Sequence, residues 1–225
     1  MKLVYADMEA SLDLDENQPY LLVLENQKFL RNFMADLKEQ LLLGEGKFLL
    51  SEGNKSLSLA KFLDFIYDPF MAEANQRKIM TKIGQAIDAV STEAEVMEKT
   101  WGIKQKIYQY AQEIFQRLEY PLEINPDFAV SKLLAGVGLM VSLENDLLGR
   151  LYQYIDICNK LLGIRIFLFY HLHDIFTEEE LSQFYREMAY RKIYIIQLEN
   201  RMAGEVGQHK LLLMDKDLCI VQWKN

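Results

Sequence analysis

The sequence predicts an α/β protein in which a mainly parallel sheet is split by a long helical insertion. Three observations point there. Apolar runs of strand length stand near both ends of the chain, YLLVL at 20–24 and then RIFLFY at 165–170 and KIYIIQL at 192–198. Between them the apolar residues recur with the helical period of 3.6. Close to the C-terminus, strand, helix and strand follow at the spacing of a parallel βαβ unit.

Residues 2–6 and 11–15 alternate apolar and polar, as half-buried strands do. Residues 20–24 are continuously apolar, as a strand covered on both faces requires. A helix is expected over 27–43, with Phe29, Leu30, Phe33, Met34, Leu37 and Leu41 along one side. Gly44 and Gly46 end it, and residues 47–51 read as the next strand. From residue 58 the helical period takes over. Ile79, Ile83, Ile87 and Val90 form one stripe. After Thr92-x-x-Glu95, which has the form of a capping box, Ile107, Ala111, Ile114 and Leu118 form another. Pro121 and Pro126 interrupt the pattern. Helices resume over 127–135 and 143–162, the latter with Leu147, Leu151, Ile155, Cys158 and Leu162 in register.

A second capping box, Thr177-x-x-Glu180, opens a helix carrying Leu181, Phe184, Tyr185 and Met188. Residues 211–214 and 218–222 read as a hairpin turned at Asp215-Lys216-Asp217. Since a two-stranded sheet is marginal alone, the buried strands of both ends are expected to share one sheet. The expected division is a discontinuous head, residues 1–57 with 163–225, and a helical arm, residues 58–162.

Half of the 225 residues are hydrophobic and 12% are aromatic, enough to bury a sizeable core. No apolar run reaches the roughly 18 residues of a membrane span, and the start of the chain lacks an apolar signal core. Cys158 and Cys219 are too few for a disulfide framework, so two buried thiols in a reducing cytoplasm are expected. A formal net charge of −8 runs against the basic footprint usual in nucleic-acid binding. Any contact with DNA therefore requires the lysines and arginines to segregate.

Catalytic signatures are sparse. Only Glu25-Asn26 separates the YLLVL strand from its helix, with no glycine to admit a phosphate, so no nucleotide site is expected. Gly44-Glu45-Gly46-Lys47 leads into a strand and reads as a helix end. His171-x-His173-Asp174 could turn two imidazoles the same way on an extended chain, but zinc needs further ligands and only His209 remains. Around the Pro121 break, Glu119, Glu123, Asn125 and Asp127 offer hard oxygen ligands of the kind calcium takes. They also read as an ordinary acidic loop. Basic residues gather as Lys28 with Arg31, as Arg77, Lys78 and Lys82, and as Lys99 with Lys106. Each group also reads as a solvated helix face.

The order YLLVLEN, helix, KFLLS, long helices, RIFLFY, a helix leading into YRKIYIIQLEN, and KLLLMDKDLCIVQ resembles the small adaptation protein of type II-A CRISPR systems, the Csn-two family. The resemblance covers nearly the whole chain, with its closest points at LVLEN, TEEEL, the strand ending in LEN, and MDKDL. It implies a head related to the P-loop ATPase core but without a working nucleotide site, and hence a protein that is not an enzyme. It further implies a homotetrameric ring that holds the ends of double-stranded DNA during spacer acquisition, alongside other adaptation proteins and the effector nuclease. Bound calcium supports the ring in that family. Glu119, Glu123 and Asp127 fall in the corresponding acidic region, but Pro121 stands where relatives carry an acid and Arg117 adds a positive charge, as in a divergent subtype. For the DNA contacts, Lys28, Arg31, Arg77, Lys78 and Lys82 are the candidates. The competing expectation is an acidic scaffold of the adaptation complex that binds no DNA itself.

Overall fold

The computed structural model describes residues 1–202 and 209–223. The chain divides into two compact units, residues 1–72 with 143–225, and residues 73–142.

The first unit contains β1 (Lys2–Tyr5), β2 (Ser11–Asp13), β3 (Tyr20–Leu24), α1 (Gln27–Leu43), β4 (Phe48–Glu52), β5 (Lys55–Leu57), α2 (Leu59–Phe62) and β6 (Leu63–Ile66). The second contains α3 (Arg77–Ser91), α4 (Ala94–Phe115) and α5 (Val130–Gly136). The chain then returns to the first unit with α6 (Leu147–Ile157), β7 (Ile166–Tyr170), α7 (Glu178–Tyr190), β8 (Tyr194–Glu199), β9 (Lys210–Met214) and β10 (Ile220–Trp223).

The larger sheet runs β10-β9-β3-β8-β7-β6. β3 lies parallel to β9 and β8, β8 to β7, and β7 to β6, while β10 adds an antiparallel edge on β9. The continuous apolar runs correspond to burial on both faces: every residue of β3 and β8 is buried. The pleat sends neighbouring side chains to opposite faces. Leu22, Leu24, Leu168, Ile196 and Leu198 join Leu30, Phe33 and Leu37 of α1 in one core. One residue along β7, Phe169 meets Phe184 of α7 edge-on at 5.6 Å. Helices therefore cover both faces, and each such Leu or Phe contributes about 1.5–3 kcal/mol by leaving water.

A second, antiparallel sheet, β2-β1-β4-β5, packs its Leu3, Tyr5, Leu12, Phe48 and Leu50 into the α1 core. The buried strands of both ends thus share one sheet as expected, β3 with β7, β8 and β9, while β1, β2 and β4 lie in the second. Those strands alternate, and an alternating strand needs only one covered face.

The insertion runs over 73–142, not 58–162. β6 is a strand of the main sheet, and Tyr154 of α6 donates its hydroxyl hydrogen to Asp64 at 2.7 Å. The last helical stretch is shorter than expected. Asp146 caps α6 through Gly149 N at 2.7 Å, and a π-helical turn, Cys158–Leu162, closes it at Gly163. No disulfide joins the two cysteines; Cys158 is buried, but Cys219 is exposed because it sits in the turn before an edge strand.

Helix ends show why one sequence signal succeeded and its twin did not. Thr177 and Glu180 form both halves of the capping box at the start of α7. Thr92 instead closes α3, its hydroxyl bonded to Ala89 O at 2.7 Å, and α4 begins without a side-chain cap. Gly44 ends α1 with φ at +89°, and Gly46 leaves room for Gln40 Oε1, which a Cβ there would approach to 2.7 Å.

In the second unit, α3 and α5 meet at Gly84 and Ser131, where a Cβ on Gly84 would lie 3.3 Å from that of Ser131. Ser131 gives its hydroxyl hydrogen to Asp88 at 2.6 Å and its backbone N–H at 2.9 Å. α4 contains no buried residue along 22 positions. Among the described residues, no helix is long and apolar enough to cross a membrane.

Candidate functional surfaces

The C-terminal edge of a parallel sheet is where α/β proteins build their sites, so the β3–α1 turn comes first. It is two residues long. Asn26 turns its side-chain oxygen onto Phe29 N at 3.0 Å and its amide onto Lys216 O at 2.8 Å. Glu25 N binds Met214 O at 2.9 Å. The helix N-terminus that could hold a phosphate is thus capped by its own side chain, with a carboxylate beside it.

The histidines do not converge as an extended chain would make them. A 3-10 turn, Leu172–Asp174, follows β7, and His171 takes a left-handed conformation with φ at 58°. His171 Nδ1 pairs with Asp174 at 2.7 Å, and Arg201 reaches the same carboxylate at 3.2 Å. Asp174 is held below the usual carboxylate range, first by the His171 bond. His173 turns the other way, into a buried polar chain. Tyr185 donates to the Gln197 carbonyl oxygen, the Gln197 amide meets His173 Nδ1 and binds Glu199 Oε1 at 2.8 Å, and His173 lies 3.3 Å from Glu199. His209 stacks edge-on to Tyr185 at 4.8 Å, and burial pushes its pKa down to about 4. The pairings satisfy Tyr185, Gln197 and Glu199, whereas His171 Nε2 and both ring nitrogens of His209 are buried without a hydrogen-bond partner among the described residues.

The acidic loop after α4 does not gather a cation cradle. Glu119, Glu123 and Asp127 are all exposed, and no group of three or more His, Cys, Asp or Glu side chains suited to a metal forms among the described residues. Asp127 faces Lys104 instead, with Nζ 3.0 Å from Oδ1. Calcium prefers six or more oxygens, and these residues do not fit it in one chain. Sequence reading missed Lys104, which lies between the singled-out Lys99 and Lys106 but presents another side of α4.

All five basic candidates are exposed, and none makes an ion pair among the described residues. Lys28 and Arg31 lie on α1 in the first unit, and Arg77, Lys78 and Lys82 on the first two turns of α3 in the second.

Of the stripe expected over residues 107–118, Ile107 and Ala111 are half-buried while Ile114 and Leu118 are exposed, and the most distinctive surface lies along an overlapping line. Along α4, Ile103, Ile107, Tyr110 and Ile114 recur at intervals of four, three and four, and so share a face. Ile103 is 53% exposed, Tyr110 65% and Ile114 39%. Met97 and Trp101, one turn apart on another side, are 56% and 64% exposed. Among the described residues Ile107 is half-buried, but Ile103, Tyr110 and Ile114 are left largely uncovered.

Comparison with known proteins adds one finding. A family model described as CRISPR-associated protein (Cas_Csn2) matches residues 40–218, from the end of α1 to the β9–β10 turn. A search of curated proteins found no match.

Proposed function

The chain belongs to the CRISPR-associated Csn2 family, whose match spans most of its 225 residues and gives it a role in CRISPR adaptation, and from that premise we propose that it is a non-enzymatic homotetrameric ring binding the ends of double-stranded DNA. The observation that carries the assembly is α4. A 22-residue helix with no buried position and an apolar stripe is costly in water and stable once a second copy covers it. The capped, glycine-free β3–α1 turn supports a head derived from a P-loop ATPase core without nucleotide.

Charge decides how DNA could enter. Four chains at −8 make a ring of −32, which repels a duplex at long range. Binding therefore needs local lysines and arginines free of internal ion pairs, and Lys28, Arg31, Arg77, Lys78 and Lys82 make none among the described residues. Such contacts grip phosphates without reading bases. Other adaptation proteins and the effector nuclease are the partners this reading implies.

The deciding experiment compares linear duplex DNA with a covalently closed circle of equal length, at low salt. Retardation of the linear form alone supports threading from an end. Equal retardation of both overturns it, and no retardation of either by a stable smaller oligomer favours an acidic scaffold without DNA binding.

A further inference from the structure

The acidic loop between α4 and α5 meets a positive charge from α4. Lys104, on the third turn of α4, places Nζ 3.0 Å from Asp127 Oδ1 and 5.7 Å from the centre of the Phe128 ring. Its side chain is 20% exposed against 92% for Asp127, so the stem is covered while the ammonium emerges at the loop. The same ammonium acts on α3. The Asp88 carboxyl is held below its usual range, first by the Ser131 hydroxyl and amide, and further by the charge of Lys104. Asp88 in turn fixes the first turn of α5 through Ser131. One ammonium thus serves two carboxylates from two elements.

We propose that Lys104 is the resident cation of this junction, so that the chain fixes its α4–α5 loop with a tethered ammonium in place of a calcium ion. A calcium ion beside Asp127 would meet a fixed positive charge about 3 Å from its first ligand, and like charges at that distance repel. Its remaining ligands are missing too, because Glu119 and Glu123 make no hydrogen bond or ion pair among the described residues. An exposed ion pair alone is weak, but here the lysine stem is also packed, and its loss removes covered surface as well as charge. The geometry belongs to a single chain, so the inference stands apart from the ring and from DNA.

The test is thermal unfolding of the full chain in EDTA and in millimolar calcium. The wild type is expected to melt at the same temperature in both. Lys104→Met should melt lower than the wild type by the same margin in both media, because Asp127 then loses its cation and calcium finds no further ligands beside it among the described residues. Lys104→Arg, which keeps a cation, should behave as the wild type in both media, and Asp127→Asn should lower the melting temperature of the wild type but add little to K104M, because the two side chains form one contact. A wild-type melting temperature that rises with calcium overturns the proposal. So does a K104M protein as stable as the wild type, or an arginine variant as damaged as the methionine one.

Discussion

Tyr5 donates its hydroxyl hydrogen to Asp36 at 2.6 Å, tying β1 to α1, and Lys47 Nζ reaches the same carboxylate at 3.1 Å. The Tyr5 hydroxyl bond is the main cause that holds the Asp36 carboxyl below its ordinary 3.8, with Lys47 assisting and burial opposing. A carboxyl whose folded value lies below its unfolded one adds stability above the unfolded value and loses it as pH falls through the folded one. Denaturant melts should therefore show the wild type losing stability below pH 3.8, and Asp36→Asn should show a flatter profile over that acid range. Tyr5→Phe should cost about 1 kcal/mol at neutral pH. Parallel acid profiles for the wild type and D36N would show that the contact contributes nothing to the titration.

Gln40 is 5% exposed and exchanges two hydrogen bonds with the backbone of Phe48, giving one to its carbonyl at 2.8 Å and taking one from its amide at 2.7 Å. These bonds fix where β4 starts after the α1 turn. Gln40→Leu strands a buried donor and a buried acceptor, each worth about 1–3 kcal/mol when unmet. A loss of about 2 kcal/mol or more in a urea melt is expected, and a neutral effect would mean that water reaches Phe48. Gly46→Ala should act in the same direction, because its Cβ would fall 2.7 Å from Gln40 Oε1.

What the sequence made legible follows from how local each determinant is. The apolar runs of β3, β7 and β8 announce themselves because burial on both faces favours apolar residues, and β8 admits Gln197 and Glu199 only with hydrogen-bond partners. The Thr177–Glu180 box is read correctly because it is complete within four residues. β6 was absorbed into the arm: LDFI is four residues long, and its membership in the sheet is set by β7, a hundred positions later. The pairing of β1 with β4 is decided by a partner across the whole of α1. At the acidic loop the acids are visible in sequence, but the nearness of Lys104 depends on the path of the chain between α4 and α5, which spacing does not encode.

The apolar stripe of α4 makes assembly directly measurable. Tyr110→Asp or Ile114→Asp places a charge on a surface that a second copy would dehydrate. Light scattering behind size exclusion should report a smaller species for either variant, with the circular dichroism of the wild type retained, because both positions are exposed in the single chain. Unchanged mass for both would remove α4 from the interface.

The basic candidates lie in two different units, and salt dependence can tell them apart. Each phosphate contact adds about 0.9 to the slope of log affinity against log salt on duplex DNA. A charge that merely sits on the surface adds nothing comparable beyond a Debye length, about 8 Å at physiological ionic strength. Lys78→Gln with Lys82→Gln should therefore flatten the slope if α3 faces the duplex, and Lys28→Gln with Arg31→Gln should do so if α1 does. Glutamine leaves the helices intact, since both residue types are good helix formers and none of the four side chains makes an ion pair among the described residues. If neither pair changes the slope while the wild type still binds, the phosphates are held by other residues and both candidate faces are ruled out.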